Sequence, residues 1–299
     1  MPGERRRGAR RGTRGRTGRA RKTRLRGAAP QRTALAEPTT AGALLSRQLE
    51  GSVGSGGINA PDDVRHVKRR LIALGFNWLS DDTSINQATI NVIRLFQAIT
   101  RGAQRVDAAG VDGLIEVGGD TLRWLDAGNA PRWRLMPAGG APEDGFRNTE
   151  VLDQTGDDHD WGTDWLADTT SRAGVTYRAA YLSAHPSAAP ITINDASKPR
   201  GGPTPDHQTH QTGMCCDIRL PRTDGTAPGN TTFRDPTYDR GAMRAMLVAL
   251  RAQPLLGRIV FNDPVLVAER LCTTRAGHDD HAHVEITAPA RALPDGQRS

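Results

Sequence analysis

The chain has 299 residues, 36% of them hydrophobic and 24% charged, with a net charge of +7. That length gives room for about two domains with cores of their own. No apolar run approaches the roughly 18 residues of a membrane helix.

The charge is uneven. Residues 1–32 carry thirteen Arg or Lys against Glu4, a net +12 out of the whole-chain +7, which leaves the remainder at −5. A stretch of Arg, Gly and Thr with almost no apolar residue cannot repay its ordering entropy, so disorder is expected there. Contact with an anionic polymer, nucleic acid or wall polymer, is the function such a tail suggests. Its adjacent arginines resemble an export signal, but Gln31, Arg32 and Glu37 interrupt the apolar segment that should follow. Residues 33–60 read as a linker ending in Gly51-Ser-Val-Gly-Ser-Gly-Gly57, so tail and linker together span 1–60.

Three helices are predicted next. Asp62 or Asp63 can cap the first, with Val64, Val67, Leu71 and Leu74 at helical spacing and Gly75 at its end. The second runs from about Ser84 to Thr100, burying Ile85, Ala88, Val92, Leu95 and Phe96. The third is short and carries Leu122 and Leu125. Residues 128–156 hold Pro131, Pro137, Gly139, Gly140, Pro142 and Gly145, and read as a tether between domains.

Beyond it, Thr163 can cap a helix with Trp165 and Leu166, and Pro190-Ile-Thr-Ile-Asn194 alternates like a short strand. Met214 to Leu220 reads as a strand. Asp239 can cap a helix whose Met243, Met246, Leu247 and Leu250 form a buried stripe. A strand over Ile259-Val-Phe261, a short helix from Pro264 to about Leu271, and a last strand at His281 complete the order. Strands interleaved with helices predict an α+β domain over 157–290, helices packed on an antiparallel sheet.

The chemistry concentrates in two clusters. The first is His207-x-x-His210-x-x-Gly213-x-x-x-Asp217; the second is His278-Asp-Asp-His281-Ala-His283. Two neutral imidazoles and a carboxylate are the set that zinc takes when a fourth position stays open for hydrolysis, whereas a thiolate-rich set points to a structural site. Strand alternation puts Cys215, Asp217 and Arg219 on one face, and His281, His283 and Glu285 on one face of the last strand. Gly213 permits the tight turn that folds His210 back beside Asp217. Of the last-strand histidines, one can bind the metal while its neighbour reaches the reacting water. Cys215 faces the same site and competes as a ligand. Cys215, Cys216 and Cys272 are an odd set, read as small buried residues, with a bridge from Cys272 to either of the others left open. Single histidines at 66, 159 and 185 carry no expectation of a role.

These clusters, with Asn194-Asp195-Ala-Ser-Lys-Pro-Arg-Gly201-Gly202 before them and, more loosely, Trp161-Gly162-Thr163 and Arg258-Ile-Val-Phe-Asn262-Asp263, resemble the penicillin-insensitive murein endopeptidases. Those belong to the zinc peptidases of the lysostaphin and D-alanyl-D-alanine peptidase type. The resemblance covers about residues 155–288. It implies zinc held by His210, Asp217 and His283, with His281 as the proton acceptor and Asp280 and Glu285 as carboxylate competitors for that role. Asp280 stands three residues before His283, where related D-alanyl-D-alanine peptidases have a Glu. His207 and His278 match further family histidines, implied to orient groups or to donate to the oxyanion. The implied substrate is peptidoglycan, cut at a D-alanine amide cross-link, which implies a place in the periplasm, the cell wall or outside the cell.

Residues 61–127, through Leu71-x-x-Leu74-Gly75, Leu95-Phe96-Gln97, Asp112-Gly113-Leu-Ile and Thr121-Leu122, resemble the small peptidoglycan-binding domain of wall hydrolases. Trp78 and Trp124 are its candidate glycan contacts, with core packing as the alternative. Two other functions stay open at this point: a D,D- or L,D-carboxypeptidase on the same scaffold, and a non-enzymatic wall or nucleic-acid binder.

Overall fold

Two helices that pack around short apolar stripes open the described part of the chain. The computed structural model describes residues 48–153, 158–205, 207–294 and 297; the basic tail and most of the linker expected over 1–60 lie outside them. Strand β1 (Val53–Gly54) pairs antiparallel with β2 (Leu114–Ile115), and α1 (Pro61–Ala73) and α2 (Gln87–Thr100) lie between them in sequence. Pro61 presets the first turn of α1, and Val64, Val67 and Leu71 bury its inner face. Neither Asp62 nor Asp63 caps it: the cap position is Ala60, and Asp63 instead accepts the backbone N–H groups of Glu50 and Gly51 at 2.9 Å each. Gly75, at φ +96°, ends the helix where a Cβ would lie 2.0 Å from the Trp133 carbonyl oxygen.

Helix α2 begins at Gln87, later than Ser84, because Asn86 caps it by accepting the Thr89 N–H. Ala88 is exposed, and Thr89, Val92, Ile93 and Phe96 are the buried residues. Helix α3 (Asp120–Leu125) buries Leu122 and Leu125 as expected.

The segment read as a tether is structured over its described residues, 128–153. It supplies β3 (Trp133–Leu135), β4 (Phe146–Asn148) and α4 (Thr149–Asp153). Its glycines at 139, 140 and 145 all take positive φ and turn the chain between β3 and β4. Trp133 and Phe146 anchor it in the core. Glycine and proline density signalled tight turns here, and two aromatic residues were enough to bury the pieces between them.

Strand β5 (Trp161–Thr163) pairs antiparallel with β3, and Thr163 caps α5 (Asp164–Tyr177) through the Leu166 N–H. A π-helical turn (Arg178–Leu182) extends α5. Then follow β6 (Ile191–Ile193), β7 (Cys215–Arg219), α6 (Arg240–Arg251), β8 (Leu256–Val260), α7 (Pro264–Ala268) and β9 (His281–Ile286). Asp239 caps α6, and Met243, Met246, Leu247 and Leu250 are buried. Strand β8 starts three residues before the expected Ile259 and carries an irregularity between Leu256 and Arg258. Helix α7 stops at Ala268 rather than Leu271, with Arg270 in the left-handed region.

Five strands form one sheet in the order β4-β6-β7-β9-β8. It is mixed rather than purely antiparallel, because β4 runs parallel to β6 while β6–β7, β7–β9 and β9–β8 are antiparallel. Parallel neighbours need a long crossover, and the chain through α5 provides it. The fold is therefore mixed α and β. The described residues fall in one compact unit, in which the early helices share a continuous core with the sheet. All three cysteines are free and buried, so no bridge from Cys272 forms.

Candidate metal centre

The register of the β7–β9 ladder builds the centre. Asp217 pairs with His283 and Arg219 with His281, so the two strands present a carboxylate and two imidazoles on one face. On β9 the alternate residues Ala282, Val284 and Ile286 are buried in the core, which fixes that register through the hydrophobic face. His210 enters from the loop before β7. Its own φ is +65° and that of Gly213 is +62°. A Cβ at 213 would lie 2.5 Å from the Gly162 Cα, so the turn that returns His210 to Asp217 requires glycine twice over, for conformation and for space.

The donor atoms converge. His210 Nε2 lies 3.3 Å from Asp217 Oδ1 and 3.1 Å from His283 Nδ1, and His283 Nδ1 lies 2.8 Å from Asp217 Oδ1. Ligands at zinc-like bond lengths of about 2.0–2.1 Å in a tetrahedron are about 3.3 Å apart, close to this triangle. The ring orientations agree with ligation. His210 Nδ1 donates to the Ala196 carbonyl oxygen at 2.8 Å, leaving a lone pair on Nε2. His283 Nε2 faces Glu285 Oε1 at 3.4 Å, and that carboxylate is itself held by Arg258 at 2.6 Å. An outer hydrogen bond like that of His210 to Ala196 sets the tautomer of a metal-binding imidazole.

Charge demands the same thing. His210, Asp217 and His283 are 1%, 4% and 2% exposed. Two ring nitrogens and a carboxylate oxygen packed this closely repel one another unless a positive charge sits among them. In the metal-free protein a proton does so. Burial disfavours the His283 imidazolium, but its hydrogen bonds to Asp217, Cys215 and Glu285 overcome that and push it up to about 12. Burial likewise works against the Asp217 carboxylate, and His210 and His283 outweigh it, holding it well below the usual range. Glu285 is held down to about 2, its burial outweighed by His283 and Arg258. These residues can therefore hold a metal ion, and the buried trio His210, Cys215 and His283 offers a second way to do so on the same ground. Burial raises the Cys215 thiol and keeps it protonated.

Around this triangle stand the other sequence-predicted residues. His281 is partly exposed; its Nδ1 lies 2.8 Å from Asp280 Oδ1 and its Nε2 lies 3.7 Å from Asp217 Oδ2. The Asp280 contact places the proton on Nδ1 and a free lone pair on Nε2, facing the centre. His278 sits with its ring centroid 4.9 Å from that of His281 and 5.8 Å from that of His283. Desolvation lowers its pKa, and its Nδ1 is 3.1 Å from the Ala276 carbonyl oxygen. A neutral ring donating from Nδ1 offers Nε2 as an acceptor, which does not suit the oxyanion-donor role that the resemblance implied. His207 stacks on His210 at 4.4 Å between centroids, with its Nε2 3.5 Å from Asp195 Oδ2. Glu285 and Asp280 are thus both committed to neighbouring imidazoles.

All six histidine and aspartate positions singled out in the sequence meet in one place. His159, which carried no expectation, also belongs to it: it is fully buried with its ring 5.1 Å from that of His207. No spacing could reveal it, since it reaches the cluster from the loop that precedes β5. His66 and His185 lie elsewhere, the latter stacked on Tyr181. Trp78 and Trp124 are both partly buried against the core, Trp78 edge-on to Phe76 and Trp124 edge-on to Trp165. No family model and no curated protein matches the chain.

Proposed function

We propose that this protein is a zinc-dependent endopeptidase that hydrolyses D-alanine amide cross-links of peptidoglycan. One observation carries the reading: the donor triangle of His210 Nε2, Asp217 Oδ1 and His283 Nδ1, with edges of 2.8 to 3.3 Å. The set is nitrogen- and oxygen-rich and is flanked by the partly exposed His207, His278 and His281, which favours hydrolytic over structural use. Asp217 is preferred to Cys215 as the third ligand because its carboxylate is already ionised and the buried thiol is not. Zinc held there supplies Lewis acidity, lowering the pKa of water to about 7 and polarising the scissile carbonyl.

The remaining work falls to the chain's own side chains. His281 accepts a proton at Nε2, with Asp280 fixing the ring and stabilising the imidazolium, and returns a proton to the leaving amine. The Ala196 carbonyl holds the His210 ring in its tautomer, and Glu285 stands 3.4 Å from His283 Nε2 as a charged neighbour. His278 offers a second acceptor beside His281.

Substrate class and location come from the resemblance of residues 155–288 to murein endopeptidases and of 61–127 to peptidoglycan-binding domains, so the site of action is the wall, in the periplasm or outside the cell. A cavity of about 740 Å³ supports a joint substrate surface: it is lined by Trp78, Arg94 and Leu95 from the helical part and by Arg200, Gly201 and Gly202 from the loop leading to His207. No helix among the described residues is long and apolar enough to cross a membrane. The test is digestion of purified cross-linked peptidoglycan with zinc-loaded protein, parent against His210→Ala and His283→Ala. Loss of cross-linked dimer with the parent alone supports the proposal. An undigested dimer, or digestion by the variants, contradicts it.

A further inference from the structure

A second donor set adjoins the first. The reactive atoms of His159, Asp195 and His207 all lie within 4.8 Å of one another, two imidazoles and one carboxylate, the same composition as the first centre. The set is rigidly built. The His159 carbonyl oxygen accepts the Ala196 N–H at 2.6 Å, which ties His159 to the residue after Asp195. Asp195 is tied in turn to the first centre, because its carbonyl accepts the Asp217 N–H at 2.8 Å and the Asn194 N–H donates to the Asp217 carbonyl at 2.9 Å. The Asp195 carboxylate is oriented by the Asn194 amide, whose Nδ2 donates to Oδ2 at 2.7 Å, and Asn194 Oδ1 accepts from Arg219 Nε at 2.8 Å. This layered support is what ligating carboxylates have.

The side chains also offer an approach. His159 is fully buried, whereas the side chains of His207 and Asp195 are 23% and 19% exposed, so the set closes inward and opens to solvent. His207 stacks on His210, placing the two donor sets side by side. Hydrolases that use two metal ions hold them about 3.5–4 Å apart with ligands drawn from such adjoining sets.

We infer that His159, Asp195 and His207 form a second divalent-cation site next to the centre of His210, Asp217 and His283. The nitrogen and oxygen donors suit zinc, and cobalt(II) as its spectroscopic substitute. The inference builds on the metal centre proposed for the first set. The second site is the weaker, because a cation already held beside it repels the next.

The experiment is equilibrium dialysis of the full chain over graded free zinc with metal counted per chain, repeated with cobalt(II) and its visible spectrum. The parent is expected to load in two steps, with one equivalent before the other. His159→Ala and the gentler Asp195→Asn are each expected to lose the weaker step and keep the tight one, whose retention reports an intact fold. His210→Ala is expected to lose the tight step. One equivalent at saturation in the parent, or a weaker step that survives Asp195→Asn, overturns the second site and leaves the first untouched. Absence of the tight step in the parent overturns the first centre as well.

Discussion

Asp217 and His283 face each other across the β7–β9 ladder as direct partners, and Asp217 Oδ1 lies 2.8 Å from His283 Nδ1. Both are almost wholly buried, and their contact outweighs the cost of burial, so the pair is a carboxylate and an imidazolium in the metal-free protein. A metal ion must displace that proton to bind Nδ1. The sheet register therefore makes metal affinity a function of pH.

The sign follows from the folded value of about 12 for His283, far above the roughly 6.5 of an unfolded histidine. A raised group contributes stability that is full below the unfolded value and is lost as pH rises toward the folded one. The metal-free protein should thus lose stability between about pH 6.5 and 12, while zinc, which must displace one His283 proton throughout that range, gains about tenfold in affinity per pH unit. The rise in melting temperature on adding zinc is expected to be larger at pH 8.5 than at pH 6.5, read by thermal scanning at fixed free zinc. Equal shifts at the two values would contradict the displaced proton. Asp217 acts at the other end: its depressed pKa contributes stability above its unfolded value of about 3.9 that is lost as pH falls.

Glu285 holds His283 from behind, 3.4 Å from Nε2, and is itself pinned by Arg258. Substituting Glu285→Gln removes the charge while keeping the shape. Zinc affinity is expected to fall about 10- to 100-fold, the usual loss when an outer partner of a ligating imidazole is removed. Competition titration against a chelator dye measures it; an unchanged affinity would mean that the contact does not orient the ring.

His281 is assigned to proton transfer and not to ligation. His281→Ala is expected to keep the tight zinc equivalent and to lower the rate of peptidoglycan digestion by about 10²- to 10⁴-fold. Asp280→Asn should lose less, because an amide oxygen at 2.8 Å from Nδ1 can still orient the ring. Loss of the tight zinc in His281→Ala would move that residue into the ligand set.

Gly213 is a structural requirement of the centre. An alanine there is expected to destabilise the fold by about 2–4 kcal/mol, combining the left-handed backbone cost with the clash against Gly162 Cα at 2.5 Å and Trp133 Cζ3 at 2.9 Å. Urea unfolding of Gly213→Ala measures this, and a change below about 0.5 kcal/mol would show that the turn relaxes freely.

Much of this centre was legible in the sequence because strand alternation is strict. His281-Ala-His283-Val-Glu-Ile286 could place its polar face only opposite the core face of Val284 and Ile286, and Gly213 marked the turn. The helices with capping residues at Thr163 and Asp239 were likewise readable. What stayed hidden depends on contacts distant in sequence. Asp63 was free to cap α1 until the backbone of residues 50 and 51 claimed it. Strand β4 is three residues among turns, and only its pairing with β6 makes it a strand and the sheet mixed. His159 joins His207 across some fifty residues of chain, with no local pattern to announce it.

The most direct measurement is a crystal structure of zinc-loaded protein with anomalous scattering recorded at the zinc edge. The account predicts a peak about 2.0–2.2 Å from His210 Nε2, Asp217 Oδ1 and His283 Nδ1 together. A peak bonded to Cys215 Sγ in place of Asp217, or no peak at these three atoms, would contradict it.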